Sequence, residues 1–162
     1  MRCHGEYLAE AVRLSGVALA EGRYPVAALI VDEAGRVMGC GFNTTEERGD
    51  PTCHAEVEAI RSAAGKMAQA PHGRYVLYSS WEPCLLCAGA MLVGGIEQVV
   101  WVANASSGGM RMFLNEEGIL TDGRRSLRAL AQPDQALALK MHRFHRIWHE
   151  GQKPFVRCDD TR

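Results

Sequence analysis

Two short motifs constrain the fold of this chain more than any other feature of its sequence. The first is His54-x-Glu56 and the second is Pro83-Cys84-x-x-Cys87, and each lies near the start of a predicted helix. A Cys-x-x-Cys turn at a helix N-terminus directs both sulfurs at one ion, and the helix dipole stabilises the thiolates. Zinc binds thiolate and imidazole, so His54 on a facing helix supplies a third ligand. The chain must therefore fold so that two helix N-termini meet.

The number of ligands predicts a catalytic rather than a structural metal site. His54, Cys84 and Cys87 are three protein ligands, which leaves one zinc position for water. A metal lowers the pKa of its bound water to about 7. Glu56 lies in the same helical turn as His54, and we expect it to take the proton of that water and deliver it to a ring nitrogen and a leaving amine. This chemistry is hydrolytic deamination, with Glu56 as the catalytic residue.

Other interpretations of these residues stay open at this point. The histidine and the thiols would be ordinary buried side chains, the Cys-x-x-Cys would be a redox pair, or the zinc would be structural with a fourth ligand. Residues available as that ligand are Cys53, His4 and His72. Cys53 adjoins His54 and is expected to point away. A non-catalytic zinc-binding interaction domain is the alternative from another functional class, and it has no need of Glu56 as a proton carrier.

Hydrophobic periodicity predicts helices that alternate with strands along the chain. Predicted helices cover residues 6–21, 53–66, 84–92 and 134–149, and predicted strands cover residues 26–31, 36–42, 74–80 and 98–103. The first two strands form a hairpin. This alternation favours a single α/β domain over residues 1–162, built as a three-layer α/β/α sandwich in which helix crossovers return parallel strands.

Composition argues against several classes of protein. Of 162 residues, 47% are apolar, which suffices for a core without disulfides, and the net charge of −1 argues against a basic polyanion-binding protein. The N-terminal stretch does not resemble a signal peptide, and no segment is apolar enough for a membrane span. We therefore expect a cytoplasmic protein, in whose reducing environment paired cysteines act as ligands.

Five stretches, taken in order, resemble the cytidine/deoxycytidylate deaminase superfamily, most of all its branch with guanine deaminase, bacterial tRNA adenosine deaminase and fungal-type cytosine deaminase. They are Pro25–Ala28, Gly41–Asn43, Asp50–Glu56, Leu77–Cys84 and Cys87–Met91. The resemblance implies bound Zn²⁺, a central mixed sheet of about five strands flanked by helices, and a homodimer. It also implies that Asn43 hydrogen-bonds the substrate base and that the backbone at Ala55 and Cys84 helps to position it. Without the resemblance, Asn43 would cap a strand end or shape a loop.

Two features of the C-terminal third bear on the substrate. An enzyme that acts on RNA needs cationic side chains to neutralise phosphates. A modest run of basic residues is present, although a solvated helix face is the simpler interpretation of it. The run comprises Lys140, Arg143, Arg146, Lys153 and Arg157. The aromatic residues Phe144, Trp148 and Phe155 resemble the C-terminal segment that closes over the site in guanine-deaminase-like enzymes.

These features favour a small free base as substrate, guanine-type first, with cytosine or an aminotriazine as related choices. Deamination of adenosine to inosine in tRNA is the alternative within the same class, and RNA is the less favoured partner. The C-terminal helix and tail at 134–162 are expected to act as a lid or a dimer element. Trp81, which follows the third strand, is expected to pack in the core.

Overall fold

The computed structural model describes residues 3–70, 73–106, 108–131 and 134–151. Its helices are α1 (His4–Ala20), α2 (Thr45–Arg48), α3 (Ala55–Ala68), α4 (Leu85–Gly94) and α5 (Gln135–Gly151), with a 3₁₀ turn at Met110–Phe113. Its strands are β1 (Ala27–Asp32), β2 (Val37–Phe42), β3 (Tyr75–Trp81), β4 (Gln98–Ala103), β5 (Ile119–Thr121) and β6 (Ser126–Ala131). All of the helices and strands expected from periodicity are present.

One mixed sheet runs through the molecule, with its strands in the order β2-β1-β3-β4-β6-β5. β1 pairs antiparallel with β2, as the predicted hairpin requires, and antiparallel with β3 on its other side. The pairs β3–β4 and β4–β6 are parallel. The strand that follows α3 therefore runs in the same direction as the strand before it, and the same holds for α4, as predicted.

The sheet has six strands, whereas the sequence predicts about five. The segment after β4, to which periodicity assigned no element, forms the antiparallel pair of β5 and β6. β5 has three residues, and in β6 only Leu127 is buried. In a hairpin at the edge of a sheet with so few buried side chains, the alternation of apolar and polar residues is too weak to be detected from the sequence.

Helices cover both faces of the sheet, which confirms the three-layer α/β/α sandwich. α3 and α4 pack on one face, in a core that includes Ala28, Ile30 and Leu77 of the strands. α1 and α5 pack on the other face, with Leu29 and Val31. Successive residues of a strand point to opposite faces, so a central strand covered on both sides is apolar nearly throughout. This explains the apolar run that forms β1.

Two glycines of β2 let α3 lie directly against the sheet. A Cβ atom on Gly39 would stand 2.7 Å from the backbone nitrogen of Ala63, and one on Gly41 would overlap the backbone of Ala55 and Ala59. These obstacles are backbone atoms, which cannot rotate aside as the end of a flexible side chain can. The close contact fixes the height of the first turn of α3 above the sheet.

A cluster of aromatic and histidine side chains holds α5 in place. His145 is 8% exposed, and its ring stacks on Trp81 with the centroids 3.9 Å apart. The Nδ1 atom of His145 lies 3.2 Å from the hydroxyl of Tyr24, whose ring also meets Trp148 edge-on. Burial lowers the pKa of His145 to about 4, and the other histidines of α5 contribute less. His145 is therefore neutral at physiological pH, as a packed position requires.

Only part of the predicted C-terminal helix and tail lies within the described residues. The cations of α5 that the structure describes are all exposed, as a solvated helix face predicts; they are Lys140, Arg143 and Arg146. Residues 152–162 lie outside the described residues, and with them Lys153, Phe155 and Arg157 of the expected basic run and aromatic tail. The lid and the homodimer stay predictions. In the described part of the chain, no helix has the length and apolarity needed to cross a membrane.

We predict that Gly41→Ala lowers the free energy of unfolding by about 2 kcal/mol or more, because the added methyl group meets the backbone of α3. Gly65→Ala is the matched control, since a Cβ at Gly65 in α3 meets nothing within 4 Å. It is expected to stabilise the protein by about 0.5–1 kcal/mol, because alanine favours a helix. Urea denaturation measures both changes. Equal stabilities of the two variants would contradict the close contact.

We predict that His145→Phe makes stability less dependent on pH. The pKa of His145 is about 4 in the fold, whereas the ordinary pKa of a histidine is 6.5. The unfolded state therefore binds more protons between these values, and stability falls as the pH is lowered through that window. Phenylalanine keeps an aromatic ring against Trp81 and does not titrate. The loss of unfolding free energy from about pH 7 to about pH 5 should shrink by about 1 kcal/mol. Urea denaturation of the variant and the wild type at both pH values measures this, and identical pH dependence would refute the prediction.

Candidate metal centre and adjoining cavity

Both sequence motifs lie at helix N-termini on one edge of the sheet. His54 is the N-cap of α3 and Cys84 is the N-cap of α4, and both have extended backbone angles. Cys87 follows in the first turn of α4, where it is buried. The strands that lead into these helices, β2 and β3, run in the same direction because both pair antiparallel with β1. They therefore end at the same edge, and the two N-caps meet there.

The donor atoms of these residues lie as close together as one metal ion requires. The Nδ1 atom of His54 is 3.5 Å from the Sγ atom of Cys84 and 3.4 Å from that of Cys87, and the two sulfurs are 3.6 Å apart. Tetrahedral zinc, with Zn–S bonds of about 2.3 Å and Zn–N bonds of about 2.0 Å, separates such ligands by about 3.5–3.8 Å. The donor set and its spacing both fit zinc.

Glu56 lies beside this cluster without belonging to it. The residue is 4% exposed, and its Oε2 atom is 3.3 Å from the Sγ atom of Cys87. Its other oxygen, Oε1, accepts a hydrogen bond of 2.8 Å from the hydroxyl of Ser79. Burial raises the pKa of the Glu56 carboxyl, and the hydrogen bond from Ser79 acts in the opposite direction. A carboxyl whose pKa is raised holds a proton more readily, which suits it to accept a proton and to return it.

The protein's own hydrogen bonds favour a thiolate at Cys84. The interaction with the Cys87 sulfur, 3.6 Å away, lowers the pKa of Cys84 to about 4; the contact with His54 acts in the same direction, against the effect of burial. The hydrogen bond with Cys84 in turn raises the pKa of His54. Because the thiolate is the form of cysteine that binds a metal, the cluster is prepared for that role.

The residues considered as a fourth ligand lie elsewhere or outside the described residues. Cys53 is buried, and its sulfur lies 3.4 Å from the guanidinium of Arg61. The Nδ1 atom of His4 is 2.8 Å from the hydroxyl of Tyr78. His72 is not among the described residues. Within the part of the chain that the structure describes, the donor group has three members, as a site with an open coordination position requires.

A cavity of about 430 Å³ opens beside the cluster. It is lined by His54, Glu56 and Cys84, and by Asn43, the residue expected to contact a substrate base. The Oδ1 atom of Asn43 accepts hydrogen bonds from the backbone N–H and the hydroxyl of Thr45, at 3.2 and 2.8 Å. Asn43 therefore shapes its loop and also borders the cavity. The two interpretations of this residue are compatible.

Aromatic side chains form a further part of the cavity wall, and sequence reasoning missed two of them. Tyr24, Trp81 and Trp148 line the cavity. Trp81 packs against the core as expected, but it also borders the cavity, which its place just before Pro83 could have indicated. Tyr24 has no such sequence signal, because its partners on α5 lie more than a hundred residues away. Ala55, expected to act through its backbone, is buried as the first residue of α3.

A buried carboxylate fixes the loop after β4 to the metal motif. Glu82 accepts hydrogen bonds from the backbone N–H groups of Ala105 and Arg111, at 2.9 and 3.0 Å, and from the guanidinium of Arg111 at 2.8 Å. Its carboxylate is closed off from solvent, and a Cβ on Gly109 would overlap it. Since Ala105 and Gly108 line the cavity, Glu82 holds a part of the cavity wall in place.

Comparison with known proteins identifies a family that has this arrangement of motifs. The family model of the cytidine and deoxycytidylate deaminase zinc-binding region matches residues 1–103. The chain is also 38% identical over 94 residues to the tRNA-specific adenosine deaminase of Haemophilus influenzae. That alignment covers 58% of this chain and 54% of the relative, so the chain spans about half the length of that enzyme.

Solved structures have the same fold. The structure of guanine deaminase from Bacillus subtilis superposes with a TM-score of 0.56 at 33% identity, over 64% of this chain and 66% of that one. A structure from studies of A-to-I editing by tRNA:A34 deaminases gives a TM-score of 0.69 over 86% of this chain and 99% of that one; at 24% identity it supports the fold alone. The family match spans both metal-binding motifs, and the chain belongs to the cytidine and deoxycytidylate deaminase family defined by that zinc-binding region.

Proposed function

We propose that this chain is a zinc-dependent hydrolytic deaminase that acts on adenosine in an RNA, with a tRNA anticodon loop as the first substrate to test. The reaction is supported above all by the buried carboxylate of Glu56, whose Oε2 atom lies 3.3 Å from a sulfur of the donor cluster. The choice of substrate is supported by the 38% identity with a tRNA-specific adenosine deaminase. This relationship moves RNA ahead of the free base that the sequence pattern favoured.

In the proposed mechanism, His54, Cys84 and Cys87 hold the zinc ion. Zinc bound there would lower the pKa of a water molecule, so that the water could lose a proton and attack a ring carbon near neutral pH. Glu56 takes one proton of the attacking water on its Oε2 atom and passes it to the neighbouring ring nitrogen. It then takes the second proton, from the hydroxyl on the attacked carbon, and passes it to the departing amine. The carbon–nitrogen bond breaks, ammonia leaves, and a carbonyl stands where the amino group was.

Asn43 and Ala55 are the proposed contacts to the base. The Oδ1 atom of Asn43 is engaged by Thr45, so its Nδ2 amide is the group that would donate to a ring or carbonyl acceptor. Ala55 is the first residue of α3, where a backbone N–H has no acceptor within the helix. Asn43 lines the same cavity as His54 and Glu56, and Ala55 lies between those two residues in the chain, so a base held by both groups would meet Glu56.

A free aminated base is the second candidate, and the charge of the cavity favours it. Among the described residues that line the cavity there is no lysine or arginine, whereas Glu46 and Glu56 contribute carboxyl groups. A free base needs no phosphate-binding cation, and Tyr24 and Trp148 provide an apolar wall for its ring. An RNA backbone would have to lie outside the cavity, where α5 exposes its cations.

We predict that Glu56→Gln lowers kcat for ammonia release by about 10³-fold or more, because the variant cannot carry a proton. Zinc content after dialysis, measured by metal analysis, should stay near one ion per chain. Glu58→Gln is the matched control, since Glu58 also lies in the first turn of α3 but pairs with Arg48 and Arg61. Its kcat should remain near that of the wild type. Full turnover by the Glu56 variant would refute the mechanism.

A substrate panel separates the two candidates. We expect ammonia release from an anticodon stem-loop RNA, and little from guanine, cytosine, ammeline or adenosine. If phosphates contribute to binding, kcat/KM for the RNA should fall at least about tenfold between about 50 and about 200 mM salt. Turnover of a free base alone, with little dependence on salt, would exclude RNA and establish the second candidate.

A further inference from the structure

A single buried hydrogen bond connects the central sheet to the carboxylate of Glu56. Ser79 of β3 is fully buried, and its hydroxyl donates to the Oε1 atom of Glu56 at 2.8 Å. The backbone N–H of Trp81 points at the same Ser79 oxygen, at 3.4 Å. Because this N–H occupies the acceptor side of the hydroxyl, the hydroxyl proton is directed at Glu56. A buried carboxylate depends strongly on such a partner, since it has lost its hydration.

The two oxygens of Glu56 have different surroundings. Oε1 accepts the hydrogen bond from Ser79, whereas Oε2 faces the donor cluster and accepts a hydrogen bond of 3.3 Å from the thiol of Cys87. A cysteine that binds a metal does so as a thiolate, which cannot donate, so Ser79 is then the remaining partner of the two. The last torsion of a glutamate side chain has a broad energy profile, so a carboxylate without a partner rotates readily. Fixing one oxygen of the planar group also fixes the other. The bond from Ser79 therefore sets which way Oε2 points.

We propose that Ser79 is a positioning residue for proton transfer: its hydroxyl holds the Glu56 carboxylate so that Oε2 faces the group formed by His54, Cys84 and Cys87. This inference rests on the proposed role of Glu56 as the proton carrier. Ser79 is not among the described residues that line the cavity, so its effect on the reaction passes through Glu56 and not through the substrate.

The next residue along the strand provides a matched control. Ser80 is also fully buried and makes two hydrogen bonds, with the hydroxyl of Ser15 at 2.8 Å and with the backbone N–H of Ala27 at 3.1 Å. Neighbouring residues of a strand point to opposite faces, so Ser80 faces α1 while Ser79 faces α3. Ser80→Ala thus removes a buried hydroxyl of the same size and leaves Glu56 untouched.

Kinetics of the zinc-loaded variants on an anticodon stem-loop RNA provide the first test. Ser79→Ala should lower kcat by about 10- to 100-fold with KM changed less than about twofold, because the carboxylate is displaced and the substrate contacts are not. Ser79→Thr retains the hydroxyl and should recover most of the lost kcat. Ser80→Ala should keep the kcat of the wild type. Equal kcat values for Ser79→Ala and Ser80→Ala would overturn the inference.

Crystal structures of the zinc-loaded Ser79→Ala and Ser80→Ala variants provide a second test that needs no turnover. The Glu56 carboxylate should be rotated or present in more than one orientation in the first variant and unchanged in the second. An unchanged carboxylate in both would overturn the inference. The proposed function fails separately, if Glu56→Gln retains activity. An inactive Glu56→Gln together with a fully active Ser79→Ala refutes the role of Ser79 alone.

Discussion

The meeting of two helix N-termini around one set of donor atoms is the constraint on which the rest of the structure depends. His54 and Cys84 occupy the N-caps of α3 and α4, so the positive ends of two helix dipoles face the same point. Negative charge between the ends stabilises such an arrangement, and the Cys84 thiolate supplies it. The close packing of α3 on Gly41 and the parallel direction of β2 and β3 bring the two ends together.

Two buried carboxylates lie near the centre, and their partners give them different roles. Glu82 takes three hydrogen bonds, including one from the guanidinium of Arg111, and it fixes the loop after β4. Glu56 takes two side-chain hydrogen bonds, from the hydroxyl of Ser79 on Oε1 and from the thiol of Cys87 on Oε2. The bond from Cys87 is lost when that cysteine binds a metal as a thiolate, which leaves Oε2 of Glu56 available for chemistry, whereas every partner of Glu82 remains in place. The contrast explains why only one of them is suited to move protons.

The division of charge between the cavity and α5 is relevant to both candidate substrates. Neutral and acidic groups line the described part of the cavity, and the exposed cations of α5 lie on the helix that also supplies Trp148 to the cavity wall. A base in the cavity would contact aromatic rings and Asn43, whereas phosphates would meet charge only outside. His145 of α5 is neutral and stacks on Trp81, so it connects this helix to the cavity wall. The packing of α5 against Trp81 therefore contributes to the shape of the site as well as to the stability of the fold.

The sequence by itself determined the family, the group of three candidate metal ligands and most of the secondary structure, because these depend on short spacings. Two cysteines three residues apart, or His54 and Glu56 within one turn, are brought together by local helical geometry. Only the tertiary structure decided the partner of Glu56, the place of Trp81 in the cavity wall and the sixth strand. Those features join residues far apart in the chain. Their contacts depend on how helices pack on the sheet, which no local pattern encodes.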